Sequence, residues 1–175
     1  MDGMRHGCIH AKILDYHFYV THLEPHSYLN RKLEIEIIKN DIREHAATEK
    51  VLIMGDFNNM SPQDSLAYNN EEKMRLVKAS EDSNPEVHIL NNGKIDYYAV
   101  QAMLDIDFYD SWRLFHTVYE KSAPTKVRKH NNYTRIDYIF VNKTLKPDCL
   151  NAVIIKDNFT DYTSDHYPMF LTLKQ

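Results

Sequence analysis

Apolar and polar positions alternate over residues 8–13, where Ile9, Ala11 and Ile13 share one side, as in a half-buried strand. Residues 14–17 then read as a hairpin turn. The β-branched and aromatic run Phe18-Tyr19-Val20-Thr21-His22-Leu23 reads as a second strand. Pro25 stops it and Ser27 is placed to cap a helix. From Leu29 to about His45 the positions Leu29, Leu33, Ile37, Ile38 and Ile42 recur with charges between them, which predicts an amphipathic helix with that stripe inward.

Val51-Leu52-Ile53-Met54 is a short continuous apolar run, so a strand covered on both faces is expected there, ended by Gly55-Asp56. Residues 64–79 are expected to be helical, 80–94 a polar loop, 95–115 helices on the core, and 120–132 a second polar loop. Thr134–Val141 alternates as a strand, and further strands are expected near 150–156 and 168–173. Strands and helices interleave without a regular βαβ repeat. The fold class is therefore a mixed, layered α/β arrangement rather than a doubly wound sheet.

The chain has 175 residues, 43% hydrophobic and 26% charged, the size and composition of one globular domain. No apolar stretch approaches the roughly 20 residues that cross a bilayer, and the first residues carry no secretory pattern. Cys8 and Cys149 make neither a disulfide framework nor a zinc cluster; the plain expectation is two thiols in a reducing, intracellular (cytoplasmic) compartment, with a single bridge between them as the alternative. Net charge is -4, against a protein that coats DNA through a basic face. The one basic cluster, Lys126, Arg128, Lys129 and His130, reads as a solvated loop.

Candidate chemistry sits at strand ends. Gly55-Asp56-Phe57-Asn58 follows the buried strand, so a carboxylate and a carboxamide can point together into a cleft. Alone, such a pair is common in turns. His22 closes a strand upstream, Arg135-Ile136-Asp137-Tyr138 puts a carboxylate in an apolar strand, and Ser164-Asp165-His166 stands before the last strand. Competing motifs fail. His22 and His26 lie four apart, but Pro25 breaks the helix a zinc protease needs, and neither a Gly-x-Ser-x-Gly elbow nor a Gly-rich phosphate loop occurs.

The ordered set His22, Gly55-Asp56-Phe57-Asn58, Arg135-Ile136-Asp137-Tyr138, Ser164-Asp165-His166 resembles the signature of the endonuclease/exonuclease/phosphatase superfamily, from about residue 8 to the end. The resemblance implies a deoxyribonuclease I-like two-sheet β-sandwich flanked by helices, and hydrolysis of a phosphoester by an activated water. It implies Asp56 as the group that orients and deprotonates the water, and Asn58 as donor to a nonbridging oxygen. His166 held by Asp137 would donate to the phosphate, and His22 would protonate the leaving group. Asp165, with Asp56 and Asn58, would hold a hard cation, Mg2+ or Mn2+, since oxygen ligands suit these better than zinc.

The resemblance also implies an upstream asparagine and a metal-binding glutamate that no residue before Cys8 supplies. Glu24 and Glu34 follow the wrong strand. The expectation is one domain, 1–175, lacking the N-terminal part of the fold. Its bared apolar faces would be met by self-association or by an N-terminal partner segment, and if nothing completes it the chain would be a non-catalytic binding domain. Nucleic acid, phospholipid and inositol phosphate all remain open as substrates, with the weak basic face favouring a small or lipid-type phosphoester. Residues 80–94 and 120–132 are the specificity loops to examine.

Overall fold

The computed structural model describes residues 1–174. Strands β1 (Cys8–Ile13) and β2 (Tyr16–His22) form an antiparallel hairpin around the two-residue turn Leu14-Asp15. Helix α1 (Tyr28–His45) follows, its first turn capped by Ser27, whose hydroxyl accepts from Asn30 N. The helix crosses over to β3 (Lys50–Asp56), which lies parallel to β2, so the chain contains one βαβ unit.

Next come α2 (Ser65–Tyr68) and α3 (Glu71–Ser83), then a small hairpin of β4 (Leu90–Asn91) and β5 (Lys94–Ile95). Helix α4 (Tyr98–Leu104), strand β6 (Phe108–Asp110), helix α5 (Ser111–Phe115) and strand β7 (Asp137–Asn142) lead to β8 (Cys149–Ile154), α6 (Thr160–Thr163) and β9 (Met169–Leu173).

The main sheet has the order β1-β2-β3-β7-β6, and β8 and β9 pair as a second, two-stranded sheet. Helices α1 and α4 cover one face of the main sheet, where Ile35, Ile38, Val100 and Met103 pack on Tyr19, Val51, Ile53 and Phe140. On the other face Leu52, Ile139 and Val141 meet Met169, Leu171 and Leu173 of the second sheet. The layers are thus helix, sheet, sheet, as expected, with β3 and β7 central and buried on both sides.

Several expectations need correction. The inward stripe of α1 is Arg31, Glu34, Ile35, Ile38 and Ile42, whereas Leu29 and Leu33 are 57% and 64% exposed. Arg31 and Glu34 are drawn in because they satisfy buried polar groups of the following site, which outweighs the apolar count. On β1 it is Cys8 that is buried. Ile9 and Ile13 face outward because the β8–β9 sheet stops short of this edge strand.

The helix expected over 64–79 is interrupted at Asn69-Asn70, where Asn70 caps α3 by accepting from Lys73 N, and α3 runs on to Ser83. The expected loop 80–94 contains the β4 strand and ends in a hairpin turn at Asn92-Gly93, both with positive φ. The region 95–115 holds strand β6 between its helices, and β7 begins only at Asp137. The short helix α6 was not anticipated.

Candidate functional site at the strand ends

The site is built by register. Thr21 pairs with Gly55 and His22 with Asp56 across β2 and β3, and Asp56 pairs with Asp137 across β3 and β7. Three candidate side chains from distant parts of the chain are therefore neighbours at one end of the inner strands. Gly55 makes this alignment possible. Its φ is 132°, and a Cβ there would stand 1.9 Å from the Thr21 carbonyl oxygen, so only glycine allows the two strands to close.

Asp56 Oδ2 lies 3.7 Å from His22 Nε2 and 3.8 Å from His166 Nδ1. Nδ1 of His166 is 2.9 Å and 3.1 Å from the two oxygens of Asp137. One ligand atom from each of Asp56, Asp137 and His166 falls within 4.8 Å of the others. Asn58, at φ 46°, turns back so that its N–H donates to Asp56 Oδ1 (2.7 Å), while its Nδ2 donates to the Leu23 carbonyl (2.9 Å). One amide hydrogen and Oδ1 of Asn58 are left for a ligand. Asp165 is set apart from the acid pair and faces Arg128, Nε to Oδ2 3.3 Å. His22 is half exposed and stacks on His6, ring centres 4.4 Å apart.

Charge is uneven here. Burial, and then the neighbouring Asp137 charge, push the Asp56 carboxyl up to about 7, against the hydrogen bond from Asn58. The hydrogen bond to Asp137 lifts His166 to about 9 despite burial. Near neutral pH His166 is therefore an imidazolium, beside an Asp56 carboxyl that is poised between its two protonation states.

Supporting groups escaped the sequence reading. The buried hydroxyl of Ser122 accepts from the N–H groups of Ile136 (3.0 Å) and Asp137 (3.2 Å), holding the entry to β7. Glu34 accepts from Glu24 N and Arg5 N, each at 2.7 Å. Arg31 donates to the Glu24 carbonyl (2.9 Å), and the Glu24 carboxylate pairs with Arg5 (2.9 Å). This network fixes the turn after His22. Its only signal in the sequence was Arg31 and Glu34 three apart on one helix face.

Beside the site lies a pocket of about 240 Å³. Asn58, Asp165 and His166 form its reactive end, Met60, Val77, Ile89 and Ile136 its apolar wall, and Arg128, His130 and Asn132 line it as well. Both loops singled out for specificity thus contribute. Tyr138 is core, its hydroxyl donating to the Arg135 carbonyl (2.7 Å), and Tyr133 is on the rim. Among the described residues no helix is long and apolar enough to cross a membrane.

Comparison with known proteins bears on the fold and the family. No curated protein sequence matches the chain. Among solved structures it is similar to a 3′ phosphatase from Neisseria (18% identity, TM-score 0.68), covering 96% of this chain and 65% of that one. An AP endonuclease from Archaeoglobus fulgidus gives 17% identity and a TM-score of 0.69, with the same coverage. A mannosyl-6-phosphatase from Bacteroides thetaiotaomicron gives 13% and 0.56, covering 91% of this chain and 51% of that one. At such identities the likeness speaks for the fold, and the chain spans about 65% or less of each relative's length. The family profile described as Endonuclease/Exonuclease/phosphatase matches residues 4–166, so the chain belongs to that family of phosphoester hydrolases.

Proposed function

We propose that the chain hydrolyses a phosphoester by water attack at phosphorus, using a divalent cation. The observation that carries this is the convergence of His22, Asp56, Asp137 and His166 at one end of the inner strands. Asp56, with a carboxyl near neutrality, orients the water and takes its proton. His166, kept protonated by Asp137, donates to a phosphoryl oxygen as negative charge grows there. Asn58 offers its remaining amide hydrogen to a second oxygen, and His22 stands on the other side of Asp56 to protonate the departing oxygen.

The donor set fits a hard cation. Burial and the neighbouring Asp137 charge destabilise the Asp56 carboxylate, which a bound cation would relieve. A protonated His166 has no lone pair to give, so the cation would rest on oxygens of Asp56 and Asn58, with Asp165 joining them on leaving Arg128, and magnesium or manganese suits such ligands. When bound, the cation stabilises negative charge on the phosphoryl group. Residues 1–175 are read as one domain of this fold.

A second reading rests on the exposed apolar row Ile9, Ile13 and Val20 at the β1 edge. In it, a second copy or a separate N-terminal segment covers this face and completes the site, and without it the chain only binds. Hydrolysis of bis-p-nitrophenyl phosphate by the purified chain tests the first reading. Turnover should require magnesium or manganese, stop with chelator, and vanish in Asp56→Ala and His166→Ala. A folded, monomeric and inert sample would sink it and leave the second.

A further inference from the structure

His22 is the least secured group of the site. Its side chain is 51% exposed, and among the described residues neither ring nitrogen has a hydrogen-bond partner. The nearest charge, Asp56 Oδ2, stands 3.7 Å from Nε2, beyond hydrogen-bond reach. What lies against the ring is a second imidazole. His6 stacks flat on it, with ring centres 4.4 Å apart and planes 15° from parallel.

His6 is itself exposed, yet its backbone is tied down on both sides. Before it, Arg5 N donates to Glu34 Oε1 (2.7 Å), and the Arg5 guanidinium donates to both oxygens of Glu24 (2.9 and 3.1 Å). After it, the Gly7 carbonyl accepts from the hydroxyl of Thr21 (3.3 Å), the residue that precedes His22. Gly7 has φ 90°, which lets the chain turn there into β1. The network that fixes the turn after His22 therefore also fixes the segment that carries His6. The His6 side chain makes no hydrogen bond among the described residues, so the ring-on-ring contact is what these tethers deliver. A contact through the ring face restrains the plane of His22 and leaves both of its nitrogens free, which a hydrogen bond to either would not.

Resting on the hydrolytic reading, in which His22 protonates the departing oxygen, we propose that His6 is a positioning residue that holds the His22 imidazole facing the leaving group. In that reaction the water oxygen bonds to phosphorus, and the ester P–O bond breaks with its electron pair passing to the leaving oxygen. The proton of His22 neutralises that oxygen, while Asp56 holds the proton taken from the water. Without the stack, the half-exposed imidazole turns towards solvent for part of the time. Aromatic pairs of this kind bias such an equilibrium by about twofold to tenfold.

The test compares two diesters of equal charge and similar shape, methyl p-nitrophenyl phosphate and methyl phenyl phosphate. p-Nitrophenolate departs without a proton, whereas phenolate gains from one. His6→Ala should lower kcat for the phenyl ester about fivefold, and change its KM and the nitrophenyl rate by less than about twofold. His6→Phe, which keeps a flat ring and no nitrogen, should bring the phenyl ester back to within about twofold of the parent. His22→Ala should show the same split more strongly, and adding His6→Ala to it should bring no further loss. Equal losses on both esters, no loss on either, or an added loss in the double variant would overturn the proposal. So would a His6→Phe variant that behaves as His6→Ala does. A parent that hydrolyses neither ester removes the hydrolytic reading itself, and the role of His22 with it, so the parent alone tells the two failures apart.

Discussion

The imidazole of His166 and the carboxylate of Asp137 face each other with Nδ1 2.9 Å from Oδ2 and 3.1 Å from Oδ1. This contact holds the proton on Nδ1 and turns Nε2 away from Asp137. It is also the largest reason that His166 titrates near 9 rather than at its ordinary 6.5. In Asp137→Asn the imidazole should titrate well below 9, as read from its NMR proton shifts against pH. Hydrolysis at neutral pH should fall by about 10²–10⁴. A titration unmoved by the substitution would show that something other than Asp137 holds the proton.

Gly55→Ala should disable the site from behind. The new methyl group would need the space 1.9 Å from the Thr21 carbonyl oxygen, in a backbone conformation that side chains rarely adopt. Either β2 and β3 separate, which parts His22 from Asp56, or the fold pays in stability. A loss of about 3 kcal/mol or more is expected in urea denaturation. A variant within about 0.5 kcal/mol of the parent would mean that the strand end relaxes freely.

Arg135 is fully buried, and its partners are Asp64 and Asp110, not the site aspartates. Its Nη2 is 2.7 Å from Asp64 Oδ2 and its Nη1 is 2.6 Å from Asp110 Oδ2. Arg113 adds a second cation on Asp64. Arg135→Met strips Asp110 of its counter-charge in the interior and should cost about 3–5 kcal/mol in chemical denaturation. Arg135→Met combined with Asp110→Asn should recover part of that loss, since the penalty lies in the orphaned charge. No recovery would move the cause to packing.

Lys73 gives a pH dependence away from the site. Its ammonium is buried against the Asn132 side chain and the Tyr133 carbonyl, and burial lowers it to about 8 from 10.5. Between those values the unfolded chain holds a proton that the folded chain has released, so stability rises with pH through the window and is lost as pH falls towards 8. Lys73→Met lacks this term. From pH 7.5 to pH 10 the parent should gain about 2 kcal/mol relative to the variant, measured by paired urea titrations. Parallel curves would mean that the amine stays charged in the fold.

Much of the fold was readable locally. Residues 51–54 form one unbroken apolar run because β3 is covered on both faces, and a hairpin with a following capped helix needs only neighbours in sequence. The motif order His22, Asp56, Asn58, Asp137, Asp165, His166 was readable too, because strand ends carry their functional groups next to recognisable apolar runs. Failures came where distant parts decide. Strand β6 has three residues and exists through pairing with β7, so no local period announces it. The inward face of α1 was misjudged because Glu34 and Arg31 answer polar groups of Glu24 and Arg5, contacts that periodicity cannot register.

Taken by itself, the sequence determined the fold class and the family and named the candidate groups of the site, since these follow from periodicity and from short ordered motifs. The tertiary structure alone decided which of those groups touch. Cross-strand register sets His22, Asp56 and Asp137 side by side, leaves Asp165 with Arg128, and brings the 121–134 run to the cleft. The physical reason is that register and loop docking depend on hydrogen bonds between residues tens of positions apart, and no window along the chain contains both partners.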